Sequence, residues 1–182
     1  MRSIEKVRER LLRATAALER ANVPYSVIGG NAVAAWVSRI DESAVRFTQD
    51  VDLLVDRKDL ESVKKALEPE GFIYRHSAGV DMFLDGPSAK ARDAVHVVFA
   101  GELVRPGEPA VNPSLSESEH TGEYRVASLK AVVQIKLTAF RDKDRTHLRD
   151  LILVGLLDAT WIPILPAPLA ARLQSILDTP NG

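Results

Sequence analysis

Apolar positions recur at helical spacing from the start of the chain. Ile4, Val7, Leu11, Ala14 and Leu18, with Arg and Glu between them, predict an amphipathic helix over 3–21, ended by Asn22 and Pro24. Tyr25 to Ile28 is a short apolar run that stops at Gly29-Gly30, the pattern of a buried strand entering a turn, and a helix is predicted directly after it over 31–37. A second strand is predicted over 51–55, then a helix over 59–67 closed by Pro69 and Gly71. Three more strands follow, over 72–75, 82–84 and 94–100, set apart by Gly79 and by Asp85-Gly86-Pro87. Residues 101–122 hold most of the loop signals and read as a long connection, with a brief strand near 124–126. Ser128 is a helix cap, and 129–157 is helical, broken near 141–144. Residues 161–168 carry three prolines and read as a turn or linker, before a short helix over 170–177.

Strands interleaved with helices, then helices alone, predict an α/β or α+β sheet domain followed by a helical region. The expected division is a sheet domain with its N-terminal helix over 1–126 and a helical region over 127–182 packed on it, the two together being compatible with one domain. A length of 182 residues, 46% of them apolar, is enough for a sizeable core. With no cysteine, a disulfide framework and a thiolate zinc site are both excluded. No apolar run approaches the roughly 20 residues needed to cross a bilayer, and the charged N-terminus has no signal-peptide core. A cytoplasmic protein is expected. A net charge of -1 gives no overall electrostatic case for nucleic acid, although a local basic patch is compatible with it.

The most informative stretch is 48–55, TQDVDLLV. Asp50 and Asp52 are two apart on a predicted strand, so their side chains share one face, with Cα atoms roughly 6 to 7 Å apart. Two carboxylates so close can share one or two hard cations, which relieve their mutual repulsion. The alternative is an amphipathic strand with its acidic side in water. Against it, Leu53-Leu54-Val55 is apolar on both faces, as in an internal strand, and acids at the start of such a strand are costly unless they open on a mouth or bind something. Gly29-Gly30, between a strand and a helix, lets backbone approach a ligand and offers free N–H groups to a phosphate. By itself such a junction is also explained by packing.

Taken together, Gly29-Gly30, Arg46-x-Thr48 and Asp50-Val51-Asp52 resemble the nucleotidyltransferase superfamily, and in particular its small bacterial abortive-infection (AbiEii-like) toxin type. The segment Lys136-Leu-Thr-Ala-Phe-Arg141-Asp-Lys-Asp144, followed by His147-Leu-Arg-Asp150, is similar to a helix junction of those proteins, and the resemblance runs from residue 25 to about 155. It implies a nucleotidyltransferase-like mixed sheet flanked by helices, with a C-terminal helical region. It implies a metal-dependent transfer of a nucleoside monophosphate from an NTP to an RNA, protein or small-molecule acceptor, with release of pyrophosphate. The phosphates would lie over Gly29 and Gly30, Asp50 and Asp52 would hold Mg²⁺ or Mn²⁺, and Arg46, Thr48, Lys136 and Asp144 would belong to the nucleotide site. A cognate toxin or antitoxin partner is also implied. For Arg141 and Lys143, solvated ion pairs along a helix are expected rather than direct catalysis.

The pattern departs from the family at one place. Many members carry a third carboxylate in a segment that here reads Val95-His96-Val97-Val98-Phe99-Ala100-Gly101, and His96 stands where the acid would be. Asp93 lies at an odd offset and should face the other way; Glu102 lies past the expected strand end; Asp81 and Asp85 come from the preceding hairpin. Histidine can serve as a base but is a poor Mg²⁺ ligand. Three outcomes are open: His96 as base, a single-metal enzyme, or a degenerate nucleotide- or partner-binding fold. His76, His120 and His147 show no ligand spacing and are expected on the surface.

Overall fold

The computed structural model describes residues 3–182. Its centre is a mixed sheet of seven strands in the order β3-β4-β5-β2-β1-β7-β6. The strands are β1 (Ser26–Ile28), β2 (Val51–Val55), β3 (Phe72–Ser77), β4 (Val80–Asp85), β5 (Ala94–Phe99), β6 (Glu119–His120) and β7 (Arg125–Val126). The helices are α1 (Ser3–Arg20), α2 (Gly29–Ser38), α3 (Leu60–Leu67), α4 (Leu129–Ala139), α5 (Asp142–Leu153) and α6 (Ala167–Asp178). With two layers of helix on one mixed sheet, the expected fold class is the one observed.

The central strands alternate between two cores, as the period of a strand requires. Val27, Val51, Leu53, Val55, Val95, Val97 and Phe99 pack with α1 and α3 on one face. Ile28 and Leu54 face α2, α4, α5 and α6 on the other. Burial on both sides explains the apolar run after Asp52. β2 runs antiparallel to β1 and parallel to β5, in a register that places Asp52 opposite both Ile28 and His96. β1 is bounded on its other side by the parallel strand β7.

The differences from expectation are local. α2 takes in both glycines instead of starting after them. Asp50 sits just before the first residue of β2, not within it. Residues 159–164 wind into a 3-10 turn that the prolines do not prevent. Among the described residues no helix is long and apolar enough to cross a membrane.

Candidate functional site

The site forms where β1 turns into α2. Gly29 has φ +69°, a left-handed conformation that costs a side-chain residue strain, and it is pressed against β2: a Cβ built on it would overlap Asp52 Oδ2. On Gly30, a Cβ would lie 2.8 Å from that of Thr48. The two glycines are therefore required by close approach to the acid-bearing segment. No side chain caps the start of α2, so its first amides stay open to a ligand.

The segment before β2 is held from two directions. Asn31 Nδ2 donates to the Asp50 carbonyl at 2.8 Å, and the Asp50 amide donates to Thr48 Oγ1 at 3.2 Å. Asp52 shares the sheet face of Leu54, toward α2 and α5, and its side chain remains 27% exposed, within reach of a ligand. His96 Nδ1 is 3.6 Å from Asp52 Oδ1. The Asp52 carboxylate at that distance holds His96 above the ordinary imidazole value; burial works against this, and the charge of Asp50 and then the Ala91 backbone add to it. Both acids thus act on one imidazole, beside the glycine corner.

Lys143 completes this group. Its Nζ lies 3.3 Å from Asp50 Oδ2, which brings the start of α5 over the acid pair. Sequence reasoning placed Lys143 among helix ion pairs; it is in an ion pair, but with a carboxylate 93 residues away. A lysine in the run Arg141-Asp-Lys-Asp144 gives no sign of its distant partner, because exposure and partner are set by how α5 docks.

Other expected site residues are placed differently. Lys136 and Asp144 pair with each other at 2.9 Å in the interior, with side-chain exposures of 4% and 1%. Asp144 also accepts from the Arg141 amide at 3.0 Å and Nε at 2.9 Å, reaching back over the start of α5. Burial raises Asp144, but the hydrogen bonds from Arg141 and the charge of Lys136 outweigh it and hold the carboxyl below its ordinary value. For either residue to touch a nucleotide, this buried pair would have to open. Arg46 lies against Asp150 of α5, at 2.8 and 3.1 Å. His147, expected at the surface, is buried: it lies on the inner face of α5, its Nδ1 has no partner, and burial and then the charge of Lys136 push it down to about 4.

Among the described residues no third acid joins Asp50 and Asp52 in a group that could hold a metal ion. Asp81 pairs in register with Val97, on the opposite face, where Tyr74 donates to it at 2.5 Å and His76 Nδ1 lies 3.1 Å away. Asp85 is held by Arg10 and Arg13, and Glu102 by Arg57. Asp93 lies in the turn before β5. Among the described residues no three His, Asp or Glu side chains form a ready metal cluster. The two carboxylates still fit a hard divalent cation that takes its remaining ligands from water or phosphate: their donors are oxygens, Asp52 is partly open, and the absent Cβ of Gly29 leaves space beside Oδ2. A cleft of about 540 Å³ begins at Asn31 and Thr48 and extends past Arg46, Phe47 and Tyr124, large enough for a nucleoside-sized group.

No family model matches the sequence, and no curated protein is similar to it at sequence level. Solved structures do share the fold. The crystal structure of ANT(2")-Ia in complex with adenylyl-2"-tobramycin has a TM-score of 0.58 at 16% identity, over 91% of this chain and 95% of that one. A solution structure of the antibiotic-resistance factor ANT(2'')-Ia has a TM-score of 0.55 at 14% identity, over 97% and 91%. An antigenic nucleotidyltransferase-like protein from Paracoccidioides brasiliensis has a TM-score of 0.57 at 17% identity, over 96% and 88%. At such identities the likeness establishes a nucleotidyltransferase-like fold.

Proposed function

We propose that this chain, with its nucleotidyltransferase-like fold, transfers a nucleoside monophosphate from an NTP to an acceptor hydroxyl. The observation that carries the reading is the packing of Gly29 directly on Asp52, which sets an acid pair beside the open start of a helix. The amides of α2 would receive phosphate oxygens. Asp50 and Asp52 would hold Mg²⁺ or Mn²⁺, which when bound neutralises charge on those oxygens. Lys143 would leave Asp50 for the triphosphate, where a flexible cation is useful. The acceptor oxygen attacks the α-phosphorus, the bond to the bridging oxygen breaks, and pyrophosphate leaves. His96 beside Asp52, in its neutral form, would take the acceptor proton. The acceptor belongs to one of three classes, RNA, protein or small molecule, and an AbiEii-like toxin with a cognate partner is the subtype the sequence motifs favour.

The test is incubation of the chain with labelled NTPs, Mg²⁺ or Mn²⁺ and acceptors of the three classes. Transfer is expected from the wild type and is expected to be lost in Asp50→Asn and Asp52→Asn. Transfer unaffected by both substitutions would remove the site from the chemistry.

A second reading has its own observation. His96 occupies the register position opposite Asp52, and Asp81, Asp85 and Glu102 are engaged elsewhere. On this reading the fold binds nucleotide or a partner without turnover. Calorimetry would then show NTP binding with no product, and His96→Asp would restore transfer.

A further inference from the structure

A second pocket lies on the side of the sheet that carries α1, across the sheet from the face of Asp52, where the chain enters β2. Its volume is about 360 Å³, and its walls include Lys6, Arg10, Gln49, Arg92 and Asp93. Two connections tie it to the site. Gln49 immediately precedes Asp50, and the turn Ala91–Asp93 that supplies Arg92 also brings the Ala91 backbone to His96. The pocket therefore borders the segment that carries the acids without sharing a side chain with them.

Its cations are only partly neutralised. Arg8, Arg20, Arg39, Arg46 and Arg57 each lie within 3 Å of a carboxylate oxygen, whereas the exposed Arg75, Arg105 and Arg125 make no ion pair among the described residues. Lys6 and Arg92 are exposed, and among the described residues neither makes an ion pair or a side-chain hydrogen bond. Between them lies Arg10, 6% exposed, whose guanidinium is fixed by Nε donating to Asp85 Oδ2 at 3.2 Å. A buried, oriented guanidinium flanked by two uncommitted cations is the chemistry of a phosphate site: a fork with fixed direction and two mobile charges. Asp93 on the rim works against a strongly bound lone anion and favours a ligand that also reaches the acids.

We infer that Lys6, Arg10 and Arg92 form a subsite for a phosphate group of the acceptor, so that the acceptor class is a phosphate-bearing molecule whose reacting hydroxyl is presented to Asp50 and Asp52. The inference rests on the transferase reading above. The phosphate is the backbone of a single-stranded nucleic acid or the ester of a phosphorylated small molecule, and the chemistry of recognition is common to both.

The test compares the full chain with Lys6→Glu/Arg92→Glu. Both residues are exposed, so the fold should persist, which circular dichroism checks. The probes are a fluorescent oligo-uridylate, ribose 5-phosphate and an NTP with Mn²⁺. Expected for the variant is a loss of about tenfold or more in affinity for the oligonucleotide, the sugar phosphate or both, with NTP affinity unchanged. For the oligonucleotide, the slope of log K against log salt should fall by about 1.4, the value for two lost phosphate contacts on a single strand. Loss on the oligonucleotide alone supports a nucleic-acid strand, and loss on ribose 5-phosphate supports a phosphorylated small molecule. Unchanged affinity for both overturns the subsite. Failure of the wild type to bind NTP overturns the transferase reading instead, and the two failures are read on separate probes.

Discussion

Replacing Asp144 with Asn asks what holds the corner between α4 and α5. The carboxylate has a side-chain exposure of 1% and faces Lys136 Nζ at 2.9 Å, itself at 4%. Asn keeps the shape and can still accept from the Arg141 amide, so the cap largely survives and the change is one of charge. What remains is a buried ammonium with no counter-charge, a defect that costs about 3–5 kcal/mol. Against a total stability on the order of 5–15 kcal/mol this is a large share. The check is urea unfolding at pH 7: with an m-value of about 2 kcal/mol/M, the midpoint should fall by about 2 M at constant m. Lys136→Met/Asp144→Asn removes the stranded charge and should recover about 2 kcal/mol relative to Asp144→Asn alone. A single variant within about 1 kcal/mol of the wild type, or a double variant no better than Asp144→Asn, would refute the account of an interior ion pair.

Three more outcomes are expected. Gly29→Ala should cost about 1–2 kcal/mol in backbone strain and abolish transfer by displacing the Asp52 carboxylate; Gly79→Ala, also at positive φ but with nothing within 4 Å, should cost strain and keep activity, and equal activity in the two would remove the steric argument. Lys143→Ala, which breaks an exposed pair, should change stability by less than about 1 kcal/mol while weakening NTP binding measured by calorimetry; unchanged affinity would separate Lys143 from the phosphates. His147 is pushed down to about 4 by burial, whereas the unfolded chain takes up a proton below about 6.5. Its stability contribution is thus complete above pH 6.5 and is lost as pH falls toward 4. His147→Leu should flatten the urea midpoint over that window, and an unaltered pH slope would exclude His147 as the cause.

The parts of the fold that could be read in the sequence are those where local pattern and tertiary context agree. β2 has the predicted bounds, because Leu53-Leu54-Val55 is apolar on both faces and the sheet covers both faces. Asp52 and the glycine corner were legible for the same reason: an acid at the start of a buried strand and paired glycines each mark a conflict that something must resolve. α5 was harder. Its sequence DKDRTHLRDLIL is dominated by polar residues, and nothing local distinguishes Asp144 and His147, which face inward, from Asp142 and Arg145, which do not. The inward choice is made by Lys136 on the preceding helix and by the packing of Leu148 and Leu151. The phosphate pocket was illegible too, since Lys6 and Arg10, one turn apart on α1, are far in the chain from Arg92 until α1 docks beside the turn before β5.

The placement of β1 governs the order in which this molecule can be completed. One flank of β1 zips to β2, a close neighbour in sequence, but the other waits for β7, whose Arg125 amide donates to Tyr25 Oη at 3.0 Å across 100 residues. Until the ribosome has delivered that hairpin, the strand leading into the glycines presents a bare ladder of amides and carbonyls, a template to which a neighbouring chain can adhere. Long-range closure of this kind is slow. The nascent acid-bearing half is therefore the sticky half, and a fragment ending before residue 119 should precipitate rather than remain as a free, inactive sheet.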